Sequence, residues 1–237
     1  VIEDTTTMPV PHRWDLPYAE ARDLQRELAS EIDTSTPLPE INLIAAADVS
    51  FNRFDTEIAA AVVVVRVGTF ELVERVGLIW PMAFPYIPGL LSFREGPALV
   101  EAFGRIQSPY DVILMDGQGI AHPRRIGIAS HLGLFLDRPS VGCAKTRLTG
   151  KYEEPGPNRG DRTPLLDGDE VIGAVVRTKD RVKPLFVSPG HRCDLESAVG
   201  LVLATSGKYR LPTPTRMVHD FVNEVRRRAK GLIPPEP

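Results

Sequence analysis

Between residues 41 and 80 the apolar positions fall into three runs, Ile41–Ser50, Ala59–Val67 and Glu71–Trp80. Only short turns separate them, so they predict three successive antiparallel strands. Upstream, residues 15–32 space Leu and Ala among Asp, Glu and Arg at helical intervals, which predicts an amphipathic helix that Pro37 and Pro39 close off. Downstream the period changes. A Pro-rich loop (81–89) leads to a helix over 95–107. A wholly apolar strand, Val112–Met115, then gives way to a Gly-rich loop, 116–122. A helix over 126–136 and a short strand, Ser140–Ala144, follow. Residues 149–168, with four Gly and three Pro, read as a long surface excursion. A strand pair at 170–177 and 183–188 and helices at 193–206 and 215–229 complete the chain. Antiparallel strands followed by alternating strands and helices predict one α/β domain: a mixed sheet flanked by helices. Residues 1–12 show little periodicity and read as a flexible tail, with the folded domain over 13–237.

Composition narrows the class. The chain has 237 residues, 43% of them apolar and 25% charged, as in ordinary globular domains. Its longest apolar run, Ile58–Val65, has eight residues, far short of the ~20 of a membrane span. The sequence shows no basic segment leading into an apolar one at its start, so a secretory signal is not expected. Cys143 and Cys193 are far apart and in no metal-binding pattern, which favours inert thiols and a cytoplasmic setting. The net charge is −3 and announces no nucleic-acid partner. Its distribution is uneven: residues 1–60 hold 12 acids and 4 bases, the remainder 19 acids and 24 bases. Arg124-Arg125, Lys145/Arg147/Lys151, Lys179/Arg181/Lys183 and Arg226–Arg228 are basic clusters that could meet phosphates.

Three acids stand out against apolar or turn-like sequence. Asp48 ends a strand in AAADVSF, Asp116 ends another in VILMDGQG, and Glu95 opens a helix in SFREGP. Singly, each reads as a cap or turn residue. Together, carboxylates at the carboxyl ends of adjacent strands form a candidate site for a hard divalent cation. Gly117 and Gly119 permit close backbone approach in the loop that runs on to His122. Rival readings are weaker. Ser188 and His191 lie three apart but lack a nucleophile elbow and a positioned acid. Asp220 and Glu224, at i and i+4, fit a solvated helix face, and His131 fits a satisfied core histidine.

Five strings then combine: PYIPGLLSFREGP (85–97), DGQGIAHPRRIGIASHLG (116–133), SVGCAKTRL (140–148), SPGHRCDLESA (188–198) and LPTPTRMVHD (211–220). In this order, across roughly residues 15–229, the chain resembles endonuclease V, a deoxyinosine-directed repair nuclease family with a ribonuclease H-like fold. The resemblance implies that Asp48, Glu95 and Asp116, with His219 nearby, bind Mg2+, for which Mn2+ can substitute. It implies an active-site lysine at Lys145, a histidine beside the scissile strand at His122, and a wedge at Tyr86 that fills the gap left by an extruded base. Gly89, Leu91, Gly117, Gly127 and Leu148 fall in segments that shape the pocket for that base. The implied reaction is hydrolysis of the second phosphodiester 3′ to deoxyinosine in DNA, leaving a 3′-hydroxyl and a 5′-phosphate. The expected protein is a monomer with no membrane contact. Inosine-containing RNA as the preferred substrate is one alternative, and a non-catalytic nucleic-acid-binding module is another.

Overall fold

The apolar octet Ile58–Val65 is apolar at every position because its strand is buried on both faces. In a computed structural model that describes residues 12–52 and 55–233, it lies within β2 (Glu57–Arg66). β2 pairs antiparallel with β1 (Leu43–Ser50) on one side and with β3 (Leu72–Pro81) on the other. Burying each valine of β2 contributes roughly 1.5–3 kcal/mol before the entropy of ordering it is subtracted.

The chain then crosses through α2 (Leu91–Gly104) to β4 (Val112–Met115), which pairs parallel to β1. A second crossover, α3 (Ile128–Phe135), delivers β5 (Ser140–Ala144) parallel to β4. β6 (Arg162–Asp167), β7 (Glu170–Val176) and β8 (Leu185–Pro189) extend the sheet antiparallel, giving the order β3-β2-β1-β4-β5-β8-β7-β6. α4 (Leu195–Thr205) and α5 (Thr213–Ala229) follow. Strand side chains alternate between two cores. Ala46, Ala61, Val63 and Leu114 pack with α4 and α5 on one face. Ala45, Ala60, Val62 and Ile113 pack with α2 and α3 on the other. α1 (Tyr18–Ala29) lies outside these layers and seats Ala21 and Leu28 in small clusters with Leu90, Phe93, Ile126 and Leu134. The mixed α/β sheet expected from the sequence is therefore present.

Two elements differ from the sequence reading. The 149–168 excursion contains β6, which pairs with β7 and carries Pro164 opposite Ala174. A proline is tolerated there because β6 is the edge strand. The helix expected from residue 95 starts at Leu91, so Glu95 sits inside α2 and not at its first residue. Of the expected tail 1–12, residues 1–11 lie outside the described residues; His12 packs its ring against Trp14 and His131. Among the described residues no helix is long and apolar enough to cross a membrane.

Candidate active site and base pocket

The site begins with strand register. Met115, the last residue of β4, pairs with Ala47 of β1, so the next residue of each strand is an aspartate, Asp116 and Asp48. β5 ends beside β4, and the residue after it is Lys145. Three neighbouring strand ends thus deliver two carboxylates and an ammonium to one edge of the sheet. Lys145 Nζ donates to Asp116 Oδ2. Val49 N donates to Asp48 Oδ1 at 2.8 Å. From α5, His219 Nδ1 donates to Asp48 Oδ2 at 2.9 Å, while its Nε2 faces Asn223 Nδ2 at 3.3 Å. Glu95 comes from α2 and is 8% exposed.

The electrostatics of this edge are strained. Burial raises the Asp48 carboxyl above its ordinary range, against the His219 hydrogen bond, and Asp116 adds to the rise. Glu95 is pushed up to about 8, first by burial and then by the charge of Asp48, with Arg94 opposing. Among the described residues nothing hydrogen-bonds to the Glu95 carboxyl to offset this. Also among the described residues, no three His, Cys, Asp or Glu side chains are already gathered as a metal cage. Lys145 and His219 instead hold one aspartate each. The donor set nonetheless fits a hard divalent cation. It is built of carboxylate oxygens, and burial, reinforced by the charge of Asp48, keeps Glu95 protonated until a positive charge relieves it.

A stability measurement checks this buried, raised carboxyl. A carboxyl raised to about 8 favours the protonated fold, so its contribution is complete below the ordinary pKa of 4.5 and is lost as pH rises through 8. In EDTA the melting temperature is expected to fall between pH 5 and pH 8.5. Glu95→Gln should flatten that fall. An equal slope in wild type and Glu95→Gln would show that the Glu95 carboxyl is not raised by its buried setting.

Next to this edge lies a cavity of about 130 Å3. Leu91 and Ser92 line it one turn before Glu95, and Gln118 lines it two residues after Asp116. Gly89, Leu91, Gly127 and Leu148, four of the residues expected in pocket-shaping segments, line it, as do Tyr86, expected as a wedge, and His122, expected beside the scissile strand. Its volume is well under the roughly 300 Å3 where drug-sized ligand sites begin, which suits a small flat ligand. Gly117 does not line it: a Cβ there would meet Ile128 Cγ2 at 2.5 Å, so this glycine is a packing requirement. Tyr86 is 67% exposed at the rim.

His122 stands in the cavity wall and not among the acids. Its Nε2 donates to Gly89 O at 3.0 Å and its Nδ1 accepts from Arg124 N at 3.1 Å. Burial and the Arg124 charge lower it to about 4, so it is neutral at physiological pH.

Sequence reasoning missed the rest of this wall. Gly89, with φ +80°, turns its carbonyl toward three donors: His122, Gln25 Nε2 at 3.1 Å and Arg124 Nη2 at 2.6 Å. Arg124 Nε also donates to Gln25 Oε1 at 2.6 Å. A glutamine buried on the apolar face of α1 was the available signal. The Arg124-Arg125 pair, a candidate phosphate contact, is already engaged within the protein: Arg125 pairs with Asp167 at 2.9 Å and Glu170 at 2.6 Å. The rival centres are not assembled. Ser188 Oγ accepts from Gly119 N at 2.8 Å, and His191 Nδ1 accepts from Asp33 N at 3.3 Å, so each is engaged elsewhere. Glu224 pairs with Arg228 on an α5 face where Asp220 is exposed.

Comparison with known proteins converges on one family. The family model described as Endonuclease V matches residues 25–220. Endonuclease V of Kosmotoga olearia is 42% identical over 217 residues, covering 91% of this chain and 95% of that protein. The crystal structure of endonuclease V from Streptomyces avermitilis superposes with a TM-score of 0.88 at 38% identity, covering 95% of this chain and all of that one. Endonuclease V of Ciona intestinalis, crystallised with a 24-mer DNA containing an inosine followed by a ribo-adenosine, superposes at 0.79 with 26% identity, covering 89% and 98%. With the family model spanning most of the chain, and relatives matched almost end to end, this protein belongs to the endonuclease V family of phosphodiester-hydrolysing nucleases.

Proposed function

We propose that this chain is a DNA-repair endonuclease that recognises deoxyinosine and hydrolyses the second phosphodiester 3′ to it, leaving a 3′-hydroxyl and a 5′-phosphate. The observation that carries the reading is the adjacency of an acidic strand edge to a base-sized cavity, joined through Leu91–Glu95 and Asp116–Gln118. The DNA complex of the Ciona intestinalis relative supports the choice of ligand. A gathering of acids is of no use to a protein that only binds a phosphate backbone, which disfavours the non-catalytic module.

Asp48, Glu95 and Asp116, with His219 beside them, would hold Mg2+, or Mn2+ in its place. Bound there, a divalent cation supplies Lewis-acid stabilisation of the charge that develops at the phosphate. Lys145, at the same edge, adds positive charge toward the phosphate and lets go of Asp116 as it does so. The wall built from Gly89, Leu91, Gly127 and Leu148 receives the extruded base. His122, neutral and bonded to Gly89, holds that wall and moves no proton. Gly117 acts through the packing of its loop against α3. Extrusion costs a few kcal/mol, and less at a mispair. The exposed Tyr86 offsets part of this by stacking on the neighbour left behind. The protein would act as a monomer in the cytoplasm, with inosine-containing RNA as the alternative substrate.

Tyr86→Ala tests the pocket assignment. The ratio of binding to a deoxyinosine duplex over an undamaged duplex is expected to fall about tenfold, as loss of one stacking contact implies. Cutting per bound deoxyinosine complex should change far less. An unchanged binding ratio would contradict the wedge.

A further inference from the structure

The wall of the cavity carries a hydrogen-bond chain whose polarity can be read from its far end. His12 Nδ1 lies 3.0 Å from Arg13 O, a carbonyl that can only accept, so Nδ1 carries the proton. His12 Nε2 then offers a lone pair to His131 Nε2, 2.7 Å away, and His131 must donate. His131 Nδ1 is left as an acceptor, 2.8 Å from Ser92 Oγ, so the Ser92 hydroxyl proton points at His131. Burial lowers both histidines below their ordinary value, which keeps each ring neutral with a single proton. His131 is fully buried and Ser92 is 2% exposed, so the inner links of the chain are shielded from bulk water.

With its proton committed to His131, Ser92 Oγ retains only lone pairs, and Ser92 lines the cavity. The same wall holds a second acceptor. Gln118 Nε2 donates to Thr146 O at 2.9 Å, and its Oε1 is buried with no partner among the described residues. Ser92 Oγ, held as an acceptor, favours a ligand edge that presents an N–H to it and disfavours one that presents a lone pair; adenine's own donor is its exocyclic amine, so the discrimination lies at the ring atom facing Ser92. Hypoxanthine in a nucleotide has one N–H, at N1, where adenine has a lone pair.

We propose that Ser92 is a specificity-determining residue that accepts the N1–H of the extruded base, and that His131 and His12 are positioning residues that fix it as an acceptor. This rests on the inosine reading above and names N1, one of the two positions at which inosine differs from adenosine, as the one read. His12 lies outside the span matched by the family model, so an N-terminal residue sets the polarity of the pocket.

The test uses two oligothymidylates, one carrying a single deoxyinosine and the other a single deoxyadenosine at the same position. Single strands remove any difference in base pairing. The readout is the ratio of their dissociation constants in EDTA for wild type, Ser92→Ala, His131→Phe, His12→Phe and His12→Gln. His12→Phe keeps a ring against Trp14 and Phe135 but gives His131 Nε2 no acceptor. His131 then takes the other tautomer and donates to Ser92, whose own proton turns toward the cavity. His12→Phe and Ser92→Ala are each expected to lower the inosine preference about tenfold, the effect of one buried group left unpaired. His12→Gln, which restores an acceptor, should return most of it. His131→Phe should match Ser92→Ala, and circular dichroism would show whether that more buried change still folds. A merely packing role for His12 predicts an unchanged ratio in His12→Phe, and that result, or a rise in inosine preference in Ser92→Ala, would overturn the proposal. If wild type shows no inosine preference at all, the parent reading fails with it; wild-type preference with unmoved variants overturns the relay alone.

Discussion

Asp116→Asn is expected to reduce strand cutting by about a thousandfold or more while binding to a deoxyinosine duplex stays within a few-fold. The substitution keeps the size of the side chain and removes one negative charge from the acidic edge. What is lost is a charged oxygen donor for a divalent cation, and electrostatic groups at a reacting phosphate are worth factors of this size. Asp48→Asn should behave alike, because the register that pairs Ala47 with Met115 sets the two following residues, Asp48 in β1 and Asp116 just after β4, side by side. The change at Asp116 also releases Lys145 from its ion pair. Lys145→Ala therefore belongs in the same series: it removes the ammonium and leaves both carboxylates in place. A gel-shift measurement beside single-turnover cleavage separates binding from chemistry. Lost binding with cleavage per bound complex intact would show that these acids do not serve the chemical step.

Gly119→Ala is expected to lower the melting temperature by roughly 2–12 °C and to lose cutting with it, from an overpacking cost of about 1–3 kcal/mol. A Cβ on Gly119 would stand 1.9 Å from Pro189 O and 2.8 Å from Ser188 O. These are backbone atoms of β8 and cannot swing aside as a side-chain tip could. The approach is this close because the loop after Asp116 is laced to its surroundings. Gly119 N donates to Ser188 Oγ, Ile120 N donates to Pro189 O at 2.8 Å, and Gly127 N donates to Gly119 O at 2.9 Å. Moving the loop therefore moves both Asp116 and the cavity wall. Gly104→Ala, at the end of α2 with nothing within 4 Å of its added carbon, is the control and should not destabilise. Equal melting temperatures for the two variants would mean that the loop adapts freely.

These two sites show which parts of the protein its sequence discloses. Asp48 and Asp116 were legible because each interrupts an apolar strand, where an unpaired charge is costly. The buried strand β2 was legible from its unbroken apolar run. β6 was not, since Pro164 argues against a strand until its place at the sheet edge is known. The start of α2 was not, since Pro97 inside the helix obscures the pattern. The polar wall of the cavity was the least legible. Arg124 reads as a surface charge, yet its partners are Gln25, 99 positions away, and the carbonyl of Gly89. His131 reads as a core histidine and is one, but the partner that orients it is 119 residues upstream. Hydrogen bonds between residues so distant leave no periodicity in the chain.

The central claim is that the acidic edge and the adjoining cavity together make a cut at inosine. The most direct measurement is cleavage of an end-labelled duplex carrying one deoxyinosine, run with Mg2+, with Mn2+ and with EDTA, beside an undamaged duplex and a single-inosine RNA. The account predicts one metal-dependent product, cut one nucleotide beyond the inosine on its 3′ side, with the undamaged duplex intact and the DNA cut faster than the RNA. Cutting that persists in EDTA, or that ignores the inosine, would contradict it.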